Sequence, residues 1–171
     1  AIVTDVDETV LDNSPYEAML IQSNKSFSPE TWKEWVQKAN ARSLAGAVDF
    51  FNYAKSKGVE VFYVTNRSDA LKPATIENLN KENLPYADQE HVYTKAETSD
   101  KTARRERIAA EFDVLLYLGD NLRDFDEIFA QSNQAMGPEF VKKHKDRFGD
   151  NYIVFPNPMY GEWEKGIYTA K

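Results

Sequence analysis

The sequence predicts an α/β fold: a doubly wound, mainly parallel five-stranded sheet of Rossmann-like type, with a small helical insertion. Three observations carry that expectation. Short β-branched and aromatic runs alternate with helical stretches along the chain. The runs are apolar at consecutive positions, as suits strands covered on both faces. The stretch between the first run and the first regular helix is about 40 residues long, too long for a plain crossover loop.

The five expected strands are residues 2–6 (Ile-Val-Thr-Asp-Val), 59–64 (Val-Glu-Val-Phe-Tyr-Val), a weaker run near 91–93 (His-Val-Tyr), 114–118 (Val-Leu-Leu-Tyr-Leu) and 152–155 (Tyr-Ile-Val-Phe). A helix over 47–57 carries apolar residues at 47, 48, 50, 51 and 54 and stops at Gly58, a natural left-handed terminator. Helices over 70–83 and 100–112 follow the second and third strands. Ser28-Pro29-Glu30 opens another helix, with a hydroxyl cap, proline at the first position and an acid in the first turn. That helix lies inside the long stretch, so residues 13–45 are expected to form the insertion.

The 171 residues fit a single domain over 1–171. Twenty-one Lys+Arg against 28 Asp+Glu give a net charge of -7, which leaves no basic face for a nucleic-acid polymer or an anionic membrane. No apolar run reaches the ~18 residues of a membrane span. Cysteine is absent, which excludes thiol nucleophiles, thiolate metal sites and disulfides together. The two histidines, His91 and His144, stand among charged neighbours and are expected at the solvated surface.

Ligands of open parallel sheets bind beyond the carboxyl ends of the strands. The first strand runs into Asp5-Val6-Asp7-Glu8-Thr9, the second into Thr65-Asn66-Arg67, and the fourth into Gly119-Asp120-Asn121 with Asp124 one turn on; Lys101 opens the helix after the third. Taken singly, each acid reads as a turn or cap residue. Together they bring four carboxylates, a hydroxyl and an ammonium to one rim. Clustered carboxylates do not stay ionised together without a cation, and an oxygen-only donor set suits a hard one, most naturally Mg²⁺. An aspartate there is a competent nucleophile towards phosphorus, with Thr65 and Lys101 holding phosphoryl oxygens.

Asp5-Val6-Asp7-Glu8-Thr9 resembles the Asp-x-Asp-x-Thr motif of the haloacid dehalogenase superfamily, and Thr65, Lys101 and Gly119-Asp120 with Asp124 follow in that family's motif order. Residues 11–16 (Leu-Asp-Asn-Ser-Pro-Tyr), 61–67, 117–125 and 156–163 (Pro-Asn-Pro-x-Tyr-Gly-x-Trp) resemble more closely the class C nonspecific acid phosphatases, bacterial lipoprotein enzymes with four aspartates. The resemblance implies a catalytic domain with Asp5 as nucleophile and Asp7 as general acid and then base. It implies Mg²⁺ at Asp5, the Asp7 carbonyl and Asp120, with Asp124 either a further ligand or a support behind the ligands, and phosphate at Thr65, Asn66 and Lys101, with Lys95 the competing lysine. Nucleoside monophosphates and aryl phosphates are the implied substrates, and Phe27, Trp32, Trp35 and Tyr160 are the aromatic residues available to stack on them.

The resemblance also implies a homodimer in the bacterial cell envelope, periplasmic or anchored as an outer-membrane lipoprotein. Family members carry further sequence ahead of the first motif, so the targeting segment is expected outside this chain, which opens four residues before Asp5. Three rivals stand beside this reading. A phospho-accepting receiver places its acidic pair before a separate acceptor on a later strand, whereas here Asp5 and Asp7 open the chain and the second acidic cluster comes late, after the lysine. A non-catalytic binding or storage relative would lack the nucleophile. A phosphotransferase would pass the phosphoryl group to an alcohol in place of water. With Asp5 ionised and Asp7 protonated, activity is expected to be bell-shaped on the acidic side of neutrality; a rate still rising through pH 9 in a pH-rate profile would contradict the pairing.

Overall fold

The computed structural model describes residues 1–130, 138–161 and 163–164. The chain runs β1 (Ile2–Thr4), β2 (Leu11–Asp12), α1 (Ser14–Gln22), α2 (Pro29–Gln37), β3 (Arg42–Ser43), α3 (Ala47–Ser56), β4 (Val61–Ser68), α4 (Lys72–Lys81), β5 (Val92–Lys95), α5 (Thr102–Ala109), β6 (Leu116–Gly119), α6 (Pro138–Lys143) and β7 (Tyr152–Val154). Five strands form one sheet in the order β5-β4-β1-β6-β7, every pairing parallel. The chain leaves β1 towards β4 and β5, then returns to β6 and β7 on the other side. The crevice between β1 and β6 is therefore the switch point at which such sheets bind ligands.

All five expected strands form, with shifted bounds. β1 ends two residues early because Asp5 starts the rim turn, although its N–H still reaches Leu118 O at 2.9 Å. β4 runs four residues beyond its expected end and carries Thr65, Asn66 and Arg67 within the strand. The consecutive apolar residues have the cause expected of them: along β4, Val61 and Tyr63 face the core under α3 and α4, while Phe62 and Val64 face Ile108 of α5. Two two-residue strands, β2 and β3, pair antiparallel and were not expected.

The long stretch holds α1, α2 and β3. Ser28 caps α2 as its sequence requires: Ser28 Oγ accepts from Thr31 N at 3.2 Å, and Thr31 Oγ1 accepts from Ser28 N at 3.3 Å. The return towards β3 is fixed by Asn78 of α4. Its Oδ1 accepts from Ala41 N at 3.0 Å and its Nδ2 donates to Ala41 O at 2.7 Å, all of it buried. Among the described residues no helix is long and apolar enough to cross a membrane.

His91 departs from its expected place at the surface. Its ring stacks on Phe62 at 4.9 Å and bridges Asp88 (Nδ1, 2.8 Å) and Glu60 (Nε2, 3.1 Å). The charged neighbours that suggested exposure lie on the preceding turn, whereas His91 is the residue that enters β5. His144 is half-buried, edge-on to Phe129 at 5.7 Å.

Asn78→Ala strands the buried amide and carbonyl of Ala41. It is expected to cost about 2–3 kcal/mol and to lower Tm by roughly 5–10 °C in a calorimetric melt; an unchanged Tm would contradict this role.

Candidate active site

After Asp5 the backbone folds into a tight turn, in which Val10 N and Leu11 N both donate to Val6 O at 2.9 Å. Glu8 sits in that turn at φ 57°, a left-handed conformation costing an ordinary L-residue about 1–2 kcal/mol. Its buried carboxylate secures the turn by accepting from Asn13 N (2.9 Å), Asn13 Nδ2 (2.8 Å) and Tyr160 Oη (2.8 Å). The turn sends Asp5 and Asp7 to different partners.

Asp5 points into the β1–β6 crevice. The buried Lys101 ammonium donates to Asp5 Oδ1 and, at 2.6 Å, to Asp124 Oδ1. Asp124 is also buried, with Oδ2 accepting from Asn121 N at 2.9 Å. A β-carbon on Gly119 would overlap the Asp124 side chain, so glycine is required there. Asp120 accepts from Asn157 Nδ2 at 2.8 Å. Burial raises the Asp5 carboxyl well above the usual range against the pull of Lys101, with Asp124, Asp120 and Asp7 adding to the rise. Burial, then Asp124, lifts Asp120 to about 7. For Lys101 burial works the other way, but the charges of Asp124 and Asp5 outweigh it and hold the ammonium above its ordinary pKa.

Asp7 meets Arg67, a residue buried to 2 % exposure. Arg67 Nη2 and Nε reach Asp7 Oδ1 at 2.7 and 3.1 Å, Nε lies 3.2 Å from Oδ2, and Asn13 Nδ2 adds a bond to Oδ1 at 2.8 Å. Thr65 is fully buried; its Oγ1 accepts from Arg67 N at 3.1 Å and lies 3.5 Å from Asp7 Oδ2. Asn66 lines the cleft, tied to Ser99 O (3.0 Å) and Arg104 Nη2 (2.8 Å). Of the two candidate lysines, Lys101 stands beside Asp5, while Lys95 ends β5 opposite Ser68.

Asp5, Asp7, Asn66, Lys101, Asp120 and Asp124 line a cleft of about 800 Å³, whereas Thr65 is buried and is not among its lining residues. One wall comes from α1, α2 and the segment between them, through Tyr16, Leu20, Phe27 and Trp32; Tyr160 of the C-terminal loop faces it. Phe27 is 64 % exposed. Burial raises the Tyr160 phenol, whose Oη is fixed on Glu8. Trp35 is placed elsewhere: it packs against the core, and its Nε1 donates to Asn13 Oδ1 at 2.8 Å.

The profile of HAD superfamily, subfamily IIIB (acid phosphatase) matches residues 1–163. The chain belongs to this family. The class C acid phosphatase from Bacillus anthracis, solved with tungstate bound, superposes with a TM-score of 0.92 at 41 % identity, covering 100 % of this chain and 73 % of that one. A stem 28 kDa glycoprotein of Glycine max is 29 % identical over 129 residues (71 % of this chain, 51 % of its own length). Acid phosphatase 1 of Solanum lycopersicum is 31 % identical over 77 residues (45 % and 30 %). The chain spans about half the length, or less, of these curated relatives.

In this HAD-family site, sequence reasoning left four supporting residues without a role. Arg67 was visible as the charged end of the second strand. Glu8, Asn13 and Asn157 had no signal beyond standing inside the motifs: Tyr160, Trp35 and Asp120 respectively are remote from them in sequence, and the short Glu8–Asn13 pairing depends on the turn between them.

One carboxylate oxygen each from Asp5, Asp120 and Asp124 lies within 4.8 Å of the others. Three oxygen donors crowded into a buried crevice are the chemistry of a hard-cation site, since a cation offsets both the burial that chiefly raises Asp5 and Asp120 and the carboxylate repulsion that adds to it. Both carboxyls bind protons more tightly folded than unfolded. Their contribution to stability is therefore present at low pH and lost as pH rises through the folded value, about 7 for Asp120. A divalent cation competes with those protons. Mg²⁺ is therefore expected to raise Tm more at pH 8 than at pH 5, and Asp120→Asn to remove most of the rise. An equal shift at both pH values would contradict the site.

Proposed function

We propose that this chain is a Mg²⁺-dependent acid phosphatase that hydrolyses phosphomonoesters, nucleoside monophosphates and aryl phosphates among them, through an aspartyl-phosphate on Asp5. The observation that carries the reading is the Asp5 carboxylate at the cleft floor, beside the Lys101 ammonium and two further carboxylates. The likeness to a phosphatase that binds tungstate, a tetrahedral oxyanion like phosphate, supports it. Asp5, the aspartate that a storage relative usually lacks, is present in this chain.

Asp5 carries the attack. Its carboxylate oxygen forms a bond to phosphorus as the ester P–O bond breaks, and Asp7 gives a proton to the departing oxygen. Asp7, now ionised, takes a proton from a water that attacks phosphorus, releasing inorganic phosphate and restoring Asp5. Lys101, Thr65 and Asn66 bind the phosphoryl oxygens, where transition-state charge collects. Asp5, Asp120 and Asp124, with the Asp7 carbonyl, would hold a divalent cation, which would supply further neutralisation of that charge. Residues 13–45 act as a small cap within the single catalytic domain, and Phe27, Trp32 and Tyr160 stack on an aromatic leaving group. A homodimer in the bacterial cell envelope is our reading from the resemblance of the motifs to class C enzymes alone; a monomeric mass in scattering would remove the dimer.

Phosphate release from AMP and p-nitrophenyl phosphate at pH 5–7 tests the core of this reading. Asp5→Asn is expected to lower kcat by roughly 10³-fold or more, and chelation to abolish turnover. Full activity in either case would overturn the nucleophile or the cation respectively. Phe27→Ala is expected to raise KM for AMP about tenfold through lost stacking and to leave KM for glycerol phosphate unchanged; equal changes for both would remove the stacking role.

A further inference from the structure

Arg67 holds more of Asp7 than a surface ion pair does. The guanidinium is buried on every side. Its Nη1 lies 3.4 Å from Thr75 Oγ1 of α4, its Cζ lies 5.7 Å from the centre of the Trp32 ring of α2, and its own N–H donates to Thr65 Oγ1. Burial and these contacts restrict its rotamers, and the planar fork sets the plane of the carboxylate it grips. The grip is unequal. Asp7 Oδ1 accepts three bonds, from Arg67 Nη2, Arg67 Nε and Asn13 Nδ2, at 2.7, 3.1 and 2.8 Å. Among the described residues, Oδ2 has only the longer Nε contact at 3.2 Å and the Thr65 hydroxyl at 3.5 Å.

We propose that Arg67, with Asn13, is a positioning residue for the proton transfer: it anchors Asp7 through Oδ1 and leaves Oδ2 as the oxygen that passes the proton to the leaving group. The inference rests on the reading of Asp7 as general acid. Oδ1 already accepts three N–H donors and has no room for a proton. Oδ2 faces neither a second arginine donor nor the asparagine. As the ester bond breaks, the proton leaves Oδ2 for the ester oxygen, and the negative charge that appears on Asp7 lies against a guanidinium already in place. No group need reorganise at that moment, which is the condition for effective electrostatic stabilisation. Misplacing the carboxylate by about an ångström is enough to cost up to roughly 10²-fold in rate.

The test compares leaving groups. p-Nitrophenolate departs with little help from an acid, whereas the alkoxide of glycerol phosphate needs a proton as it leaves. kcat/KM reports the first phosphoryl transfer, so it is measured on both substrates for the wild-type chain, Asp7→Asn, Arg67→Met and Arg67→Lys, with folding checked by circular dichroism. Asp7→Asn is expected to lose about 10²-fold or more on glycerol phosphate and far less on p-nitrophenyl phosphate. Arg67→Met is expected to show the same selective loss, about tenfold or more greater on the alkyl substrate. Arg67→Lys keeps the charge without the fork and, folding as the wild type does, is expected to show a smaller loss of the same selectivity. Equal losses on both substrates in a folded Arg67 variant, or no loss, would overturn the inference. Equal losses in Asp7→Asn would instead overturn the general-acid reading on which it rests.

Discussion

Carboxylates taken out of water in one crevice need a positive charge among them, and Lys101 supplies it. Its ammonium reaches Asp5 from the end of β1 and Asp124 from the turn after β6, while its backbone starts α5. Three segments far apart in sequence are thereby fixed to one another. Removing one member of such a buried set leaves an uncompensated charge at a cost of about 3–5 kcal/mol. Close packing enforces the same arrangement, because the Asp124 side chain lies where a β-carbon on Gly119 would stand. Arg104 and Arg105, from the next turn of α5, bond to Thr65 O and Arg123 O and so tie the neighbouring strand ends to the same helix.

The second acid, Asp7, is held by a separate cation. Two residues from Asp5, it faces a different guanidinium across a turn whose left-handed residue, Glu8, is secured by Asn13 and Tyr160. A fold that needs two neighbouring carboxylates in different states has to give them different surroundings. Here one sits beside a lysine and two further acids, the other beside an arginine and an asparagine amide. The C-terminal loop joins both halves, since Asn157 donates to Asp120 and Tyr160 to Glu8.

Much of this was legible in the sequence, for a physical reason. A strand covered on both faces is apolar throughout, so a polar residue at its end stands out, and Asp5, Thr65 and Asp120 were visible in that way. Asp124 followed from its spacing one turn after Asp120, whereas Lys101 came from the family's motif order and left Lys95 as its rival. Interactions between polar residues remote in the chain were not legible: nothing near Asn13 in sequence points to Trp35, nor anything near Glu8 to Tyr160. Trp32 and Trp35, one helical turn apart on α2, offer the same local signal. Only packing decides that Trp32 lines the cleft while Trp35 turns to the core. The two-residue strands β2 and β3 are shorter than any periodicity can reveal, and His91 was misjudged because it closes the turn just before β5, where its ring packs on Phe62 of β4 and reaches Glu60.

The central claim is that Asp5 carries the phosphoryl group. It is tested most directly by mixing the chain with substrate and Mg²⁺, quenching in acid within one turnover, digesting the protein and locating the added phosphoryl mass among the peptides. The account expects that mass on the peptide containing Asp5, on that aspartate alone, and its absence from Asp5→Asn. Phosphate found on another residue, or steady release of inorganic phosphate by an enzyme that remains unmodified with chemistry shown to precede product release, would contradict it.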